Sequence, residues 1–253
     1  QFDYVVVGGY SKNVQNAARQ LADIRSDCMC LADTGHNTNP NDDLNSREVD
    51  VPWNTFNAML YSQYRSRFDE HTGTSKYWFT PVYHAIERHL DVDDKYWIAE
   101  PVAGIEKGAI SESIELAYKP EQVKMGDLMD KEVNVTISEP DGQYFLTQFT
   151  TWKRLSIMKR AHAVKFVHYV KKSLPPLLKD ILQRKTTAFW INMVDKRVNG
   201  FMQPFTAASG RWAAIKSFSF ASQFDEARSE INVVLTIYPL RAIEAINVRI
   251  VVT

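Results

Sequence analysis

The stretch YVVVGGYSKNVQNAARQLA, Tyr4 to Ala22, decides how the rest of the chain is read. Val5 to Val7 is a short apolar run closed by Gly8-Gly9. Beyond it Val14, Ala17, Ala18, Leu21 and Ala22 recur at helical spacing. CMCLAD, Cys28 to Asp33, then reads as a second buried strand that ends in an acid. The first ~33 residues therefore predict a β-α-β unit, and with it a parallel sheet. In a strand, Cys28 and Cys30 share one face and enter the core as small hydrophobes. They are the two cysteines of the chain, and no second Cys/His cluster accompanies them, which argues against zinc. Their use favours a reducing compartment.

Composition sets wide bounds. The 253 residues are 45% hydrophobic, enough for one large α/β domain or two small ones. Lys plus Arg equals Asp plus Glu at 30 each, so the global charge calls for neither nucleic acid nor an anionic membrane. No apolar run reaches the ~20 residues of a membrane-spanning helix. The chain opens on Gln1 rather than Met, which leaves a removed targeting peptide open.

Residues 34–48 are polar and turn-rich, a loop by composition. Phe56, Leu60, Tyr64 and Phe68 stand at four-residue spacing and predict a helix, and PVYHAIERHL predicts another, with Pro81 in its first turn. KYWIAEPVA (Lys95 to Ala103) reads as a third strand, IEKGAISESIELAY as an amphipathic helix, and KEVNVTIS (Lys131 to Ser138) as a fourth strand. A long helix is expected from about Trp152 to Leu182, then a fifth strand at Thr187 to Val194. A helix over Ser209 to Ser229, a sixth strand at Ile231 to Tyr238 and a seventh at NVRIVV complete the reading. The expected fold is a single Rossmann-like, doubly wound parallel sheet of about seven strands over residues 1–253, with a helical insertion at 36–94 between strands two and three.

This order of elements resembles the short-chain dehydrogenase/reductase family. VVVGGYSKNVQNAARQLA is similar to its first phosphate turn, the segment from PDGQYF to LPPLLK to its segment after strand four through the end of the long helix, and AAIKSFSFASQFDEARSEINVVLTIYPL to its helix and strand six. The resemblance implies a catalytic Asn-Ser-Tyr-Lys set. Those positions fall at Lys159, Asp195, Ala208 and Trp212, and none keeps the family residue. No Tyr occurs between Tyr169 and Tyr238, so no shift of register supplies the general acid/base. It also implies a dinucleotide site at Gly9, Ser11, Lys12 and Asp33, the last on the adenosine ribose. Asn13 and Gln15, however, replace the second and third glycines and add bulk where phosphate would lie. A flavin-type reading of FDYVVVGG needs further glycines and a longer chain.

The segment 36–94 is dense in aromatics. Trp53, Phe56, Tyr61, Tyr64, Trp78 and Phe79 are candidate interface residues for a protein partner; packing back onto the parent domain is the alternative. Lys159, Arg160, Lys165, Lys171 and Lys172 make one helix basic, a solvated face or a contact for an acidic partner or RNA phosphate. His89 with Asp91, Asp93 and Asp94 reads as a solvated loop, and no metal is expected. The sequence thus points to a non-catalytic, dehydrogenase-like subunit of a larger protein assembly, intracellular and in a mitochondrial context, with no cofactor. An atypical NAD-dependent oxidoreductase, or a nucleotide sensor without turnover, is the alternative.

Overall fold

The structure, a computed structural model, describes residues 3–68, 76–110, 115–181, 187–206, 210, 212–225 and 230–240. They belong to two units, Gln1–Lys179 and Asp180–Thr253.

The β-α-β unit is present at the start of the first. Strands β1 (Tyr4–Val6) and β2 (Met29–Asp33) flank helix α1 (Lys12–Arg25) and pair in parallel, Tyr4 opposite Met29 and Val6 opposite Leu31. The β1–α1 turn needs glycine twice, for different reasons. Gly9 holds φ +80, where a Cβ is penalised. At Gly8 an added Cβ would lie 2.5 Å from Thr80 Oγ1 and 2.7 Å from Val82 Cβ. Gly8→Ala is therefore expected to cost about 1–3 kcal/mol by overpacking. The check is a lower denaturation midpoint at unchanged slope.

After β2 come α2 (Pro40–Val49), β3 (Ala58–Tyr61), β4 (Arg65–Phe68), β5 (Lys76–Phe79) and α3 (Val82–Lys95). The unit continues through α4 (Gly104–Lys107), β6 (Ala109–Ile110), β7 (Glu115–Leu116), α5 (Gln122–Asp130) and β8 (Val133–Asn134). It ends with β9 (Thr136–Glu139), β10 (Gly142–Phe145) and α6 (Ala161–Leu178). Asn39 caps α2, its side chain accepting from the N–H groups of Asn41 and Asp42, and Pro40 follows where its missing N–H costs nothing.

Strand order limits what this unit can bind. The parallel sheet runs β1-β2-β3-β8, in chain order from one edge to the other. Side chains alternate between two cores. Val7, Cys28, Cys30, Ala32, Ala58 and Leu60 face one, with Ala18 and Ala22 of α1, Leu44 of α2 and Leu128 of α5. Met29, Leu31, Met59 and Tyr61 face the other, with Val82 and Ala85 of α3 and Ala161 and Val164 of α6. The helices that lead into β2, β3 and β8 thus lie on one face. Right-handed crossovers kept on one face step always in the same direction. A doubly wound sheet steps both ways from β1, and its nucleotide crevice opens where the direction reverses. Here β1 is an edge strand, and the described strands contain no reversal.

The expected seven-stranded doubly wound sheet is therefore incorrect: the parallel sheet has four strands, beside antiparallel sheets β5-β4-β7 and β6-β10-β9. The supposed helical insertion at 36–94 holds an interior strand of the parallel sheet. AMLY is buried at all four positions of β3, and a strand covered on both faces is as uniformly apolar as a buried helix. The four-residue spacing of Phe56, Leu60, Tyr64 and Phe68 is coincidental, since it crosses β3 and β4. Lys95 ends α3, and Tyr96 to Ala103 is not a strand. The expected helix from Ile105 becomes α4, β6 and β7, and the long helix begins at Ala161 rather than Trp152.

The second unit reverses three further expectations. Thr187 to Val194 leads into a helix, α7 (Ala188–Met202), not a strand. The segment expected as a helix over 209–229 carries strand β11 (Ile215–Asp225), which pairs antiparallel with β12 (Glu230–Pro239) from Phe218↔Ile237 to Asp225↔Glu230. The expected parallel sixth strand is thus half of a hairpin. The expected seventh strand lies outside the described residues.

Candidate functional site

Gly9, Lys12 and Asp33 do converge, at the C-terminal ends of β1 and β2. Asp33 is 1% exposed and its carboxylate is consumed by the fold. Oδ2 accepts from the Gly9 N–H at 2.6 Å, Thr80 Oγ1 at 2.5 Å and the Tyr64 hydroxyl at 3.2 Å; Oδ1 accepts from Gln15 Nε2 at 3.2 Å. Lys12 Nζ donates to the Asp33 carbonyl at 2.8 Å. Ser11 is the N-cap of α1 without a side-chain cap bond. Gln15, fully buried where the resemblance expects a glycine, also donates to the Tyr10 carbonyl at 3.0 Å. The cluster is a clamp that fastens the β1–α1 turn to α1 and to the start of α3, and no carboxylate oxygen is turned outward for a ribose.

Lys159 and Asp195, two of the four catalytic positions, are each engaged within their own unit. Lys159 Nζ donates to Glu132 Oε1 at 3.0 Å and lies 5.3 Å from the Phe149 ring centroid, in the first unit. Asp195, in the second, accepts from Ser222 Oγ at 2.6 Å. Trp212 is partly exposed and Ala208 lies outside the described residues. Among the described residues no group of three or more His, Cys, Asp or Glu could hold a metal ion.

Most of the six candidate interface aromatics belong to the interior. Trp53 and Tyr61 are buried, Trp53 donating to Asn16 Oδ1 at 2.6 Å and Tyr61 to Gln148 Oε1 at 2.6 Å. Phe56 packs on the second core and meets Trp152 edge to face. Tyr64 meets His36 in a tilted ring contact at 5.0 Å, and Phe79 meets both Tyr77 and His84. Trp78 alone of the six is exposed, at 39%, near exposed Phe68, Tyr77 and Tyr83. The aromatic density at 36–94 builds the fold more than it builds a surface.

The basic helix is likewise engaged within the chain. Lys165 is buried and pairs with Asp93, which also accepts from the Tyr4 hydroxyl at 2.9 Å. Lys171 donates to the Ser26 carbonyl at 2.8 Å, Lys172 to Asp3 at 2.5 Å, and Arg160 lies 4.3 Å from the Phe149 ring centroid. On the same helix His168 Nε2 lies 2.9 Å from Asn57 Oδ1, and burial pushes its pKa down to about 4. Burial also holds His89 well below the ordinary range. The unfolded chain takes up these protons near pH 6.5, whereas native His168 refuses its proton until about pH 4. Stability is therefore full above pH 6.5 and falls as the pH drops through that window, by about 1.4 kcal/mol per pH unit for each histidine. Denaturation midpoints at pH 7.5, 6.5 and 5.5 should fall in that order, and less steeply in His168→Gln.

The feature that sequence reasoning missed is the β11–β12 hairpin. Phe218, Phe220 and Ser222 alternate with exposed Ser219, Ala221 and Gln223; Ile231, Val233, Leu235 and Ile237 alternate with exposed Asn232, Val234, Thr236 and Tyr238. The period-2 pattern of KSFSFASQF was the available signal. The strands, 11 and 10 residues long, form a sheet of two. Apart from a parallel bridge from Thr206 to Ile215, each keeps an outer edge on which no described strand is paired. A two-stranded ribbon is marginal in water, and its open edges are templates for another strand.

No family model matches the chain, and no curated protein matches its sequence. Solved structures do match. A chain of the contracted PVC sheath complex of an extracellular contractile injection system is 10% identical with TM-score 0.77, over 99% of this chain and 71% of that one. A chain of the anti-feeding prophage baseplate is 10% identical with TM-score 0.76, over 95% and 64%. A sheath tail protein from Listeria innocua is 8% identical with TM-score 0.67, over 96% and 54%. The chain thus spans between about half and seven tenths of the length of these relatives in fold. The dehydrogenase resemblance is overturned by this likeness and by the singly wound sheet, and the pseudoenzyme reading and its mitochondrial context go with it. The fold is that of sheath proteins from contractile injection machinery.

Proposed function

We propose that this chain is a structural subunit of a contractile, sheath-type protein assembly, joined to neighbouring copies by strand addition at the β11–β12 hairpin. The observation that carries this reading is the hairpin itself. It has two long strands, outer edges on which no strand of the described residues is paired, and apolar side chains on its exposed face, Val234 at 66% and Tyr238 at 53%. Strand addition to such an edge gains main-chain hydrogen bonds along its whole length. The likeness to sheath and baseplate chains supports it, and so does the inward engagement of Asp33, Lys159 and Asp195, which favours a structural role over a catalytic one. Among the described residues no helix is long and apolar enough to cross a membrane.

Sedimentation and negative-stain microscopy of the purified full chain test the proposal. Rings or tubes of regular repeat are expected as concentration rises. A chain ending at Lys179 is expected to melt cooperatively and stay monomeric. A full chain that is a monodisperse monomer at every concentration contradicts the proposal.

A further inference from the structure

Arg65 opens β4 and is 0% exposed. Nη2 donates to Thr136 Oγ1, and the guanidinium carbon lies 4.8 Å from the Phe145 ring centroid. Nε and Nη1 meet no acceptor among the described residues. The contrast with Arg47 is direct: Arg47, equally enclosed, faces Glu132 at 3.2 Å and four carbonyls. No carboxylate of the described residues pairs with Arg65. An uncompensated buried ion is costly even after relaxation, and an aromatic face offsets only part of that cost.

The orphaned nitrogens of Arg65 are donors on a positive charge, which selects an anion and rejects a metal cation. Complete enclosure selects a small one, since a peptide carboxylate or a phosphate ester would have to bring its chain inside.

We propose that Arg65 holds a small monovalent inorganic anion of the chloride class within the first unit. The anion completes the fold and makes it halide-dependent. The probe is bromide. Crystals of the full chain grown in sodium bromide are expected to show an anomalous peak within contact distance of Arg65 Nε or Nη1. In solution, thermal melts in sodium chloride and sodium gluconate at equal ionic strength are expected to differ. Each tenfold rise in chloride above its dissociation constant should shift the folding equilibrium up to tenfold. Arg65→Met is expected to abolish that difference. If Arg65→Met does not fold, the bromide map of the unaltered protein decides alone. Equal melts in both salts overturn the proposal, as does a map in which water, a carboxylate of this chain or Gln143 Oε1 occupies the Arg65 donors.

Discussion

Replacing Arg47 by methionine is expected to cost the first unit about 3–5 kcal/mol, a large part of a typical 5–15 kcal/mol. Arg47 is 2% exposed and donates from every nitrogen of its guanidinium. Nε bonds the Lys131 carbonyl at 2.8 Å, Nη1 the Val51 carbonyl at 2.8 Å, and Nη2 the Trp53 carbonyl at 2.9 Å and Glu132 at 3.2 Å. It thereby ties the end of α2 to the segment before β3 and to the turn before β8. Methionine fills the volume but takes the guanidinium donors from four carbonyls, of which Val51 keeps the Trp53 N–H. Glu132 keeps Lys159 at 3.0 Å, so the loss is of hydrogen bonds more than of a stranded charge. Urea unfolding should show a large fall in midpoint with an unchanged slope. Lys131→Ala, which removes the exposed Lys131–Glu48 pair, should change little.

Asp33→Asn carries the second large effect, and it separates two readings of one residue. An amide keeps the shape but presents an NH2 to donors that now meet oxygen. Three donors share Oδ2 and one takes Oδ1, so some bond must fail whichever way the amide turns. A loss of about 2–4 kcal/mol is expected from hydrogen bonds to a charged acceptor. If Asp33 instead served a nucleotide ribose, the variant would keep its stability and lose nucleotide binding. Chemical unfolding and NADH fluorescence titration on the same preparations distinguish the two.

These residues also show what the sequence made legible. The β-α-β unit could be read because Gly8-Gly9 and the spacing of Val14, Ala18 and Ala22 act locally. The burial of Cys28 and Cys30 on one face followed from strand periodicity alone. The role of Asp33 could not be read, because an acid at a strand end has the same signature whether it binds a ribose or its own turn. Nor could β3 be told from a helix, since AMLY is covered on both sides. The side on which α2 crosses is a tertiary choice with no local signal, yet it decides whether the sheet winds one way or two. The hairpin was legible in the alternation of Phe218, Phe220, Val233, Leu235 and Ile237, but the assumed dehydrogenase order overrode it. FWINMV misled in the other direction: its bulky and branched residues favour strands, but they lie on α7.

The central claim is that the hairpin edges join copies of the chain, and amide hydrogen exchange over Ile215–Pro239 tests it most directly. In dilute monomer, the amides that bond β11 to β12 should exchange slowly and the outward-pointing ones fast. On association the outward-pointing amides should become protected as well, while exchange in β1, β2 and β3 stays as it was. Association that leaves exchange across the hairpin unchanged would contradict the account.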